Sequence, residues 1–396
     1  VKSNRDVCNW WSRVRADNAL IAWRGRNPQS ETTLYLSGFA LDPARTVESL
    51  KLTPAGNAVW MVAGISIGGE VPALRPQIRR KITAGKEFRP FEQQFEVEKD
   101  SALDFSFLNH VPAGKFGRVV AAGDHFEFAE RPGEPVRFYG VNLCWSAHEL
   151  THAQSDLLAV RLARLGFNSV RIHHYDMMLT ERAQNRLEFD AERLDRLDYL
   201  IACFKKRGIY ITTDLYVSRM LVRGELTETP DKTAWQPTFK PLVFVLDSAM
   251  ENWKRFARNW LTHVNPYTGL ALKDDPALIS LSLVNEDNIA STWNAAPYVA
   301  DIYKQRFGEW KKRRGVTSGS ADSNDPVFSA FLVDIYGRAY AEMERFLREE
   351  LEINVPISDQ NMLPKVLLSV MRDRYDFVEN HFYWDHPNFP ETPWQV

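Results

Sequence analysis

The sequence has few cysteines, no long apolar run and no excess of charge of either sign. Its three cysteines, Cys8, Cys144 and Cys203, are too widely spaced for a disulfide framework or a CxxC metal site. The longest apolar runs, such as 277–284 and 241–246, fall far short of the roughly 20 residues that a membrane helix needs. With 49 basic and 51 acidic residues the net charge is -2, which argues against nucleic acid or an anionic membrane as a partner. We therefore expect a soluble globular protein.

Tryptophan is abundant, with 12 residues in a chain of 396. The flat apolar face of an indole suits stacking on a sugar ring, but the same side chain fills large cores. Trp253 and Trp260 recur at a helical spacing of seven, which indicates core packing. The length fits two to three domains of about 150 residues each, or one barrel enzyme that uses most of the chain.

Residues 1–100 contain short apolar or alternating runs separated by turn residues, which predicts an all-β sandwich. The expected strands cover 18–23, 33–37, 47–52 and 58–63. A charged connector follows at about 79–103. Trp10, Trp11 and Trp23 suit either a carbohydrate-binding surface or packing against the next domain.

From residue 104 onward strands alternate with amphipathic helices, which predicts parallel βαβ units. Without a glycine-rich phosphate loop, the pattern favours a (β/α)8 TIM barrel over a nucleotide-binding sheet. We assign strands one to six to 136–145, 167–173, 209–217, 277–284, 355–359 and 377–383. Expected helices begin after Thr151 or Ser155 and after Asp190, and cover about 248–263 and 326–352.

In such barrels the catalytic residues lie at the carboxyl ends of the strands. Strand four is a predominantly apolar run that is followed by Asn285 and Glu286. Burial at the rim of an apolar barrel raises the pKa of a carboxyl group and keeps it protonated, so we expect Glu286 to act as a general acid. Asn285 can hydrogen-bond a substrate hydroxyl. The alternative is that Glu286 merely ends a strand in solvent.

With these residues, 104–396 resembles the clan A retaining glycoside hydrolases, most closely the cellulase-like family 5 type. That family has Asn-Glu at the end of strand four, an Arg ending strand two, matched by Arg171, and a His-x-Tyr ending strand six, matched by His381 and Tyr383. The resemblance implies a retaining double displacement on β-glycosidic bonds, of the β-glucan or β-mannan type, without metal or organic cofactor. It makes Glu286 the acid/base, and Arg171 and Tyr383 the residues that position the nucleophile. Action on a polysaccharide would imply a secreted, periplasmic or cell-surface protein.

The sequence departs from the family pattern in two places. Strand three ends in Asp214-Leu-Tyr216 where members often have Asp-Leu-His, so the role of that His passes to Tyr216 or His174. The family nucleophile is a Glu at the end of strand seven, which we expect beyond Val396. The chain opens on Val rather than Met and is expected to be a piece of something longer. Glu379, within strand six, and Glu391, in a proline-rich loop, are poor substitutes.

Three tryptophans, Trp145, Trp293 and Trp384, fall at or just beyond strand ends, where we expect them to stack on sugar. Two other functions stay open. One is a non-catalytic carbohydrate-binding protein on the same fold. The other is a metal-dependent barrel enzyme with His174 and Asp176 as ligands, although adjacent strand residues such as His173 and His174 point to opposite faces.

Overall fold

The computed structural model divides the chain into two compact units, Val1–Gln93 and Gln94–Val396. It describes residues 5–7, 16, 18–26, 31–53, 61–69, 85–88, 96–181, 187–219, 225–228, 236–362 and 368–382.

Among the described residues of the first unit, the paired strands form one antiparallel hairpin. Strand β1 is Ala19–Arg26 and strand β2 is Glu31–Ser37, close to two of the expected strands. The strand expected at 47–52 is wrong, because these residues have no regular secondary structure and their apolar side chains are exposed. An apolar run becomes a strand only where a partner strand takes up its backbone hydrogen bonds. The β-sandwich is therefore not confirmed.

The second unit is built on a five-stranded parallel sheet in the order β10-β9-β8-β7-β6. Its strands are β6 (Gly140–Cys144), β7 (Ser169–His173), β8 (Tyr210–Tyr216), β9 (Leu278–Val284) and β10 (Ile357–Ser358). Neighbours in the sheet follow each other in the chain, and helices lie between consecutive strands. This α/β arrangement fits a barrel-like fold and agrees with the first five expected barrel strands.

Two of the helices begin at the caps that the sequence predicts. Thr151 forms a capping box with Gln154, and the Asp190 side chain accepts from the Arg193 N–H, as expected. The helices are α1 (His152–Arg164), α2 (Tyr175–Thr180), α3 (Ala191–Lys206), α4 (Gln236–Leu242), α5 (Asp247–Thr262), α6 (Ile289–Thr292), α7 (Pro297–Arg314) and α8 (Pro326–Arg345). Trp253 and Trp260 of α5 are buried in the main core, which confirms the reading of their spacing. None of the helices in the described part of the chain is both long and apolar enough to cross a membrane.

The sixth barrel strand expected at 377–383 is not a strand over its described residues, 377–382. This segment runs beside β10 with two backbone hydrogen bonds, from Asp376 N–H to Ile357 O at 3.1 Å and from His381 N–H to Asn361 O at 2.5 Å. The two donors, Asp376 and His381, are five residues apart, whereas the two acceptors, Ile357 and Asn361, are four residues apart. A regular parallel ladder requires equal spacing, so the segment reaches the sheet without joining it.

A three-stranded antiparallel sheet, absent from the sequence prediction, covers the amino ends of the central strands. It consists of β3 (Val119–Ala122), β4 (His125–Phe128) and β5 (Arg131–Val136). Phe128 is buried and stacks on Tyr210, the first residue of β8, with ring centroids 5.4 Å apart. A second small core therefore closes the end of the parallel sheet opposite to its carboxyl ends.

We predict that Phe128→Ala lowers the free energy of unfolding by about 3 to 5 kcal/mol, because a buried aromatic ring is replaced by a cavity. Urea denaturation measures the change. Phe107→Ala is the matched control, since this ring is 77% exposed and its loss should change stability by less than about 0.5 kcal/mol. Equal effects of the two substitutions would show that the small sheet does not pack on the parallel sheet.

Candidate active site

A buried ion pair joins β7 to β8 at the carboxyl end of the sheet. The guanidinium of Arg171 donates to both carboxylate oxygens of Asp214, with Nε 3.1 Å from Oδ2 and Nη2 close to Oδ1. Asp214 is fully buried, and His173 Nδ1 lies 2.8 Å from the same Oδ2. Since a carboxylate can only accept, Nδ1 of His173 carries the proton.

The surroundings of Asp214 keep it ionised. Burial by itself would raise the pKa of this carboxyl group, but the charge of Arg171 and the hydrogen bonds from Arg171 and His173 hold it well below its ordinary value. Burial would in turn lower the pKa of Arg171, yet the charge of Asp214 raises it, with further contributions from Glu379 and Glu286. The site therefore contains a permanent buried charge pair.

Glu286 lies two residues beyond β9 and faces His381. Its backbone has a φ of 53°, a left-handed conformation that is uncommon for a residue with a side chain. Its Oε1 is 2.9 Å from Nδ1 of His381, and Nε2 of that ring is 2.6 Å from Nη1 of Arg171. Because arginine can only donate, Nε2 of His381 accepts and Nδ1 donates its proton to Glu286. One imidazole thus links the ion pair to the Glu286 carboxylate.

The pKa of Glu286 is lowered, which corrects the expectation that burial keeps this group protonated. The hydrogen bond from His381 is the largest cause, and the positive charge of Lys240 adds to it. Burial acts in the opposite direction but is outweighed. In the protein without substrate Glu286 is therefore a carboxylate.

Asn285, Trp145 and His174 follow the carboxyl ends of β9, β6 and β7. The Asn285 side chain is buried and its Oδ1 accepts from Nη2 of Arg171 at 3.2 Å. The rings of Trp145, just after β6, and His174, just after β7, stack in parallel with centroids 3.9 Å apart. Trp145 stays 43% exposed, whereas burial lowers the pKa of His174 to about 4, so this imidazole is neutral at pH 7. The His174 imidazole therefore covers one face of the Trp145 indole.

Two of the residues predicted to bind substrate lie in the core instead. Tyr216 is fully buried and donates to Asn252 Oδ1 at 2.5 Å. Trp293 is 7% exposed, and its indole donates to Ser323 Oγ at 3.1 Å while its ring meets the edge of Phe328. Neither ring reaches a substrate from these positions.

Other predicted binding residues fall outside the described residues. These are Tyr383, Trp384, Trp10 and Trp11, together with Glu391. Trp23 is described and exposed on β1. Arg171, Asp214, Asn285, Glu286 and His381 form, with their hydrogen-bond partners, the polar cluster of the site. Glu379 lies near this cluster, with Oε1 2.8 Å from Nδ2 of Asn361.

The Asp176 side chain points to backbone donors. Its two fully buried oxygens accept from the N–H groups of Val217, Ser218 and Arg219 and from the Ser218 hydroxyl, at 2.8 to 3.1 Å. These bonds pin the turn after β8 onto α2. A carboxylate engaged in this way serves structure, which removes it from the ligand set of the metal alternative.

Sequence reasoning missed three residues of the cluster. Asp214 was not predicted as a site residue, although a carboxylate inside a predicted barrel strand is itself a signal. Lys240 is the single charge in the run 239–246 and is buried, with Nζ donating to the Asn285 carbonyl. Asn361, just beyond β10, had no distinguishing pattern in the sequence.

We predict a pH-dependent contribution to stability from His148, beside the site. Its Nε2 is 3.2 Å from the His173 carbonyl, and burial lowers its pKa from 6.5 to about 4. The folded-state value is below the unfolded one, so this stability is fully present above pH 6.5 and is lost as the pH falls toward 4. Between pH 7 and pH 5 the group should account for about 2 kcal/mol.

Urea unfolding at the two pH values should show a smaller loss for His148→Gln than for the wild type. His152→Gln, which removes a half-exposed imidazole, is the control. The comparison between variants cancels the contributions of other titrating groups. An identical loss in the wild type and His148→Gln would contradict the prediction.

Comparison with known proteins gives no match to a family model or to a curated protein sequence. Similar solved structures include an endo-1,4-β-mannanase from Rhizomucor miehei, at 16% identity over 50% of this chain and 58% of that chain with a TM-score of 0.34. A glycoside hydrolase family 5 mannosidase from Rhizomucor miehei has 16% identity over 61% and 72% with a TM-score of 0.32. An endo-1,4-β-D-mannanase from Thermotoga petrophila RKU-1 has 18% identity over 47% and 56% with a TM-score of 0.30. The chain spans little more than half the length of the two mannanases.

Proposed function

We propose that this protein is a glycoside hydrolase that cleaves β-glycosidic bonds and that Glu286 is its acid/base. The observation that carries the proposal is the convergence of Arg171, Asp214, Asn285 and Glu286 at the carboxyl ends of three adjacent parallel strands, with His381 bridging two of them. Cleavage of a glycosidic bond needs a carboxyl group that acts as general acid and then as general base. A carboxylate held by hydrogen-bond donors at the carboxyl ends of the strands suits this role.

The charge state of Glu286 fits the base half of a double displacement. A carboxylate with a lowered pKa can take a proton from water in the step that releases the sugar. The acid half needs a proton on Glu286 before the leaving oxygen departs. A second carboxylate about 5 to 5.5 Å away, the separation of a retaining enzyme, would raise the pKa of Glu286 by like-charge repulsion.

In this proposal the second carboxylate is the nucleophile, a Glu beyond Val396. Asp214 is committed to Arg171, and Asp176 to the backbone donors of the turn after β8. The nucleophile attacks the anomeric carbon, the leaving oxygen takes the Glu286 proton, and water then replaces the enzyme carboxylate with retention of configuration. Arg171 and Tyr383 are proposed to orient the nucleophile.

The proposed sugar-binding platform is Trp145 with the imidazole of His174 stacked on one face of its indole. The indole is partly exposed, its ring is held parallel to the imidazole, and both lie at the strand ends beside the ion pair. A flat aromatic face suits the C–H face of a pyranose ring. The substrate class is an oligo- or polysaccharide of the β-glucan or β-mannan type, bound without metal or organic cofactor.

We predict that Glu286→Gln lowers kcat on β-glucan or β-mannan by about 10²- to 10⁴-fold, because the amide cannot transfer a proton. The assay compares release of reducing sugar from both polymers with hydrolysis of aryl β-glycosides by the full-length protein. Activity of the variant should partly recover on aryl glycosides whose leaving group needs no protonation. Glu349→Gln, an exposed carboxylate on the turn after α8, is the matched control and should retain full activity.

Wild-type protein that binds one of the sugars but cleaves none would contradict the proposal and identify a carbohydrate-binding protein. Wild-type activity that survives Glu286→Gln on all substrates would place the acid/base elsewhere. Activity lost on treatment with a chelator would favour the metal-dependent alternative.

A further inference from the structure

The peptide group that connects Asn285 to Glu286 is hydrogen-bonded by side chains at both of its polar atoms. On one side Nζ of Lys240 donates to the Asn285 carbonyl oxygen. On the other, Oδ1 of Asn361 accepts from the Glu286 N–H at 2.8 Å. Both side chains are buried. A peptide plane held at its C=O and at its N–H cannot rotate without breaking one of these bonds.

The two side chains come from opposite directions. Lys240 lies on α4, which follows β8, and Asn361 follows β10. Strand β9, which carries the peptide at its end, lies between β8 and β10 in the sheet. The peptide is therefore held across the sheet rather than by its own strand.

Asn361 also ties the peptide to the segment that carries His381. Its side-chain Nδ2 donates to Ser282 Oγ at 3.1 Å and to Glu379 Oε1 at 2.8 Å. Its backbone carbonyl accepts from the backbone N–H of His381 at 2.5 Å. The imidazole of His381 then donates to the Glu286 carboxylate. The backbone and the carboxylate of Glu286 are thus both fixed relative to Asn361.

Glu286 needs such support because its φ of 53° lies in the left-handed region. A non-glycine residue keeps that conformation only where its surroundings determine it. Relaxation to an ordinary backbone conformation would swing the side chain away from His381.

We propose that Lys240 and Asn361 are positioning residues that clamp the Asn285–Glu286 peptide and so aim the Glu286 carboxylate at His381 and at the bond to be cleaved. The orientation toward the bond to be cleaved rests on the proposed function. The clamp on the peptide and its effect on the Glu286–His381 contact are testable without activity.

The experiment compares Asn361→Ala and Lys240→Met with the wild-type protein. Lys240→Met keeps the apolar stem of the side chain and removes the donor. Asn354→Ala and Lys304→Met are the matched controls, since both residues are exposed and lie outside the cluster. Crystal structures give φ of Glu286 and the distance from Oε1 to Nδ1 of His381. Carboxyl NMR titration of ¹³C-labelled glutamate gives the pKa of Glu286.

In the two test variants we expect the Glu286–His381 contact to open beyond hydrogen-bond length and the pKa of Glu286 to rise. In Asn361→Ala the pKa rises because the His381 hydrogen bond, the largest cause of its lowered value, is lost. In Lys240→Met the loss of the lysine charge raises the pKa as well, so φ and the contact distance are the readouts that test the clamp in that variant. On a substrate that the wild type cleaves, kcat should fall by about tenfold or more with little change in KM, because misplacing a reacting group mainly raises the barrier. The controls should match the wild type in all three measurements.

Asn361→Asp separates the clamp from a general effect on packing. It keeps an oxygen that accepts from the Glu286 N–H and loses the donor to Ser282 and Glu379. The left-handed φ should therefore persist in this variant. If Asn361→Ala does not fold, Lys240→Met still tests the clamp.

Unchanged φ and an unchanged Glu286–His381 contact in Lys240→Met and in Asn361→Ala would overturn the clamp, whether or not the protein is active. An inactive wild type whose variants show the expected shifts would overturn the proposed function and leave the clamp supported. The two proposals therefore fail separately.

Discussion

The buried pair of Arg171 and Asp214 is the interaction on which the arrangement of this site depends. An unpaired charge at this depth would cost several kcal/mol, so each member requires the other. The bidentate geometry fixes the guanidinium plane, which leaves its remaining N–H groups directed at Asn285 and His381. Asp214 in turn fixes the proton of His173 on Nδ1. From one ion pair the orientation of four further polar groups, including the Glu286 carboxylate, follows.

Backbone conformation shows the same concentration of constraint at the strand ends. Trp145 and His174 immediately follow β6 and β7, Glu286 and Gln360 follow β9 and β10 by two residues, and all four have positive φ. Each such residue costs about 1 to 3 kcal/mol and persists only where other contacts compensate. The left-handed turn lifts each side chain off the strand direction. Trp145, His174 and Glu286 belong to the proposed catalytic and sugar-binding residues. The backbone strain therefore coincides with the proposed active site.

The sequence predicted well what depends on local signals. A predominantly apolar run identified β9, and Asp190 marked the start of α3, because burial and capping leave direct patterns in the sequence. The convergence of Arg171 and Glu286 followed from the rule that catalytic residues lie at the carboxyl ends of barrel strands. The positions of Tyr216 and Trp293 did not follow from it, because the helices that pack over a strand end determine whether a residue there lies in the core or in the cleft.

Electrostatics at the site was also beyond local reasoning. Burial alone predicts a protonated Glu286, whereas a lysine that is 46 positions earlier and a histidine 95 positions later reverse the direction. The sixth strand failed for a related reason, since a parallel ladder depends on register with β10 and not on the composition of 377–382. Lys240 did leave a signal, as one cation in an apolar run, whose meaning appears only with its partner Asn285.

The most direct test of the account is a crystal structure of the full-length Glu286→Gln protein with a β-1,4-linked mannose or glucose tetrasaccharide. The account predicts a pyranose ring over Trp145 and a bridging glycosidic oxygen within about 3.2 Å of the side-chain amide at position 286, the reach of a proton donor. A sugar that binds with its glycosidic oxygens remote from position 286, or away from the carboxyl ends of β7, β8 and β9, would contradict it.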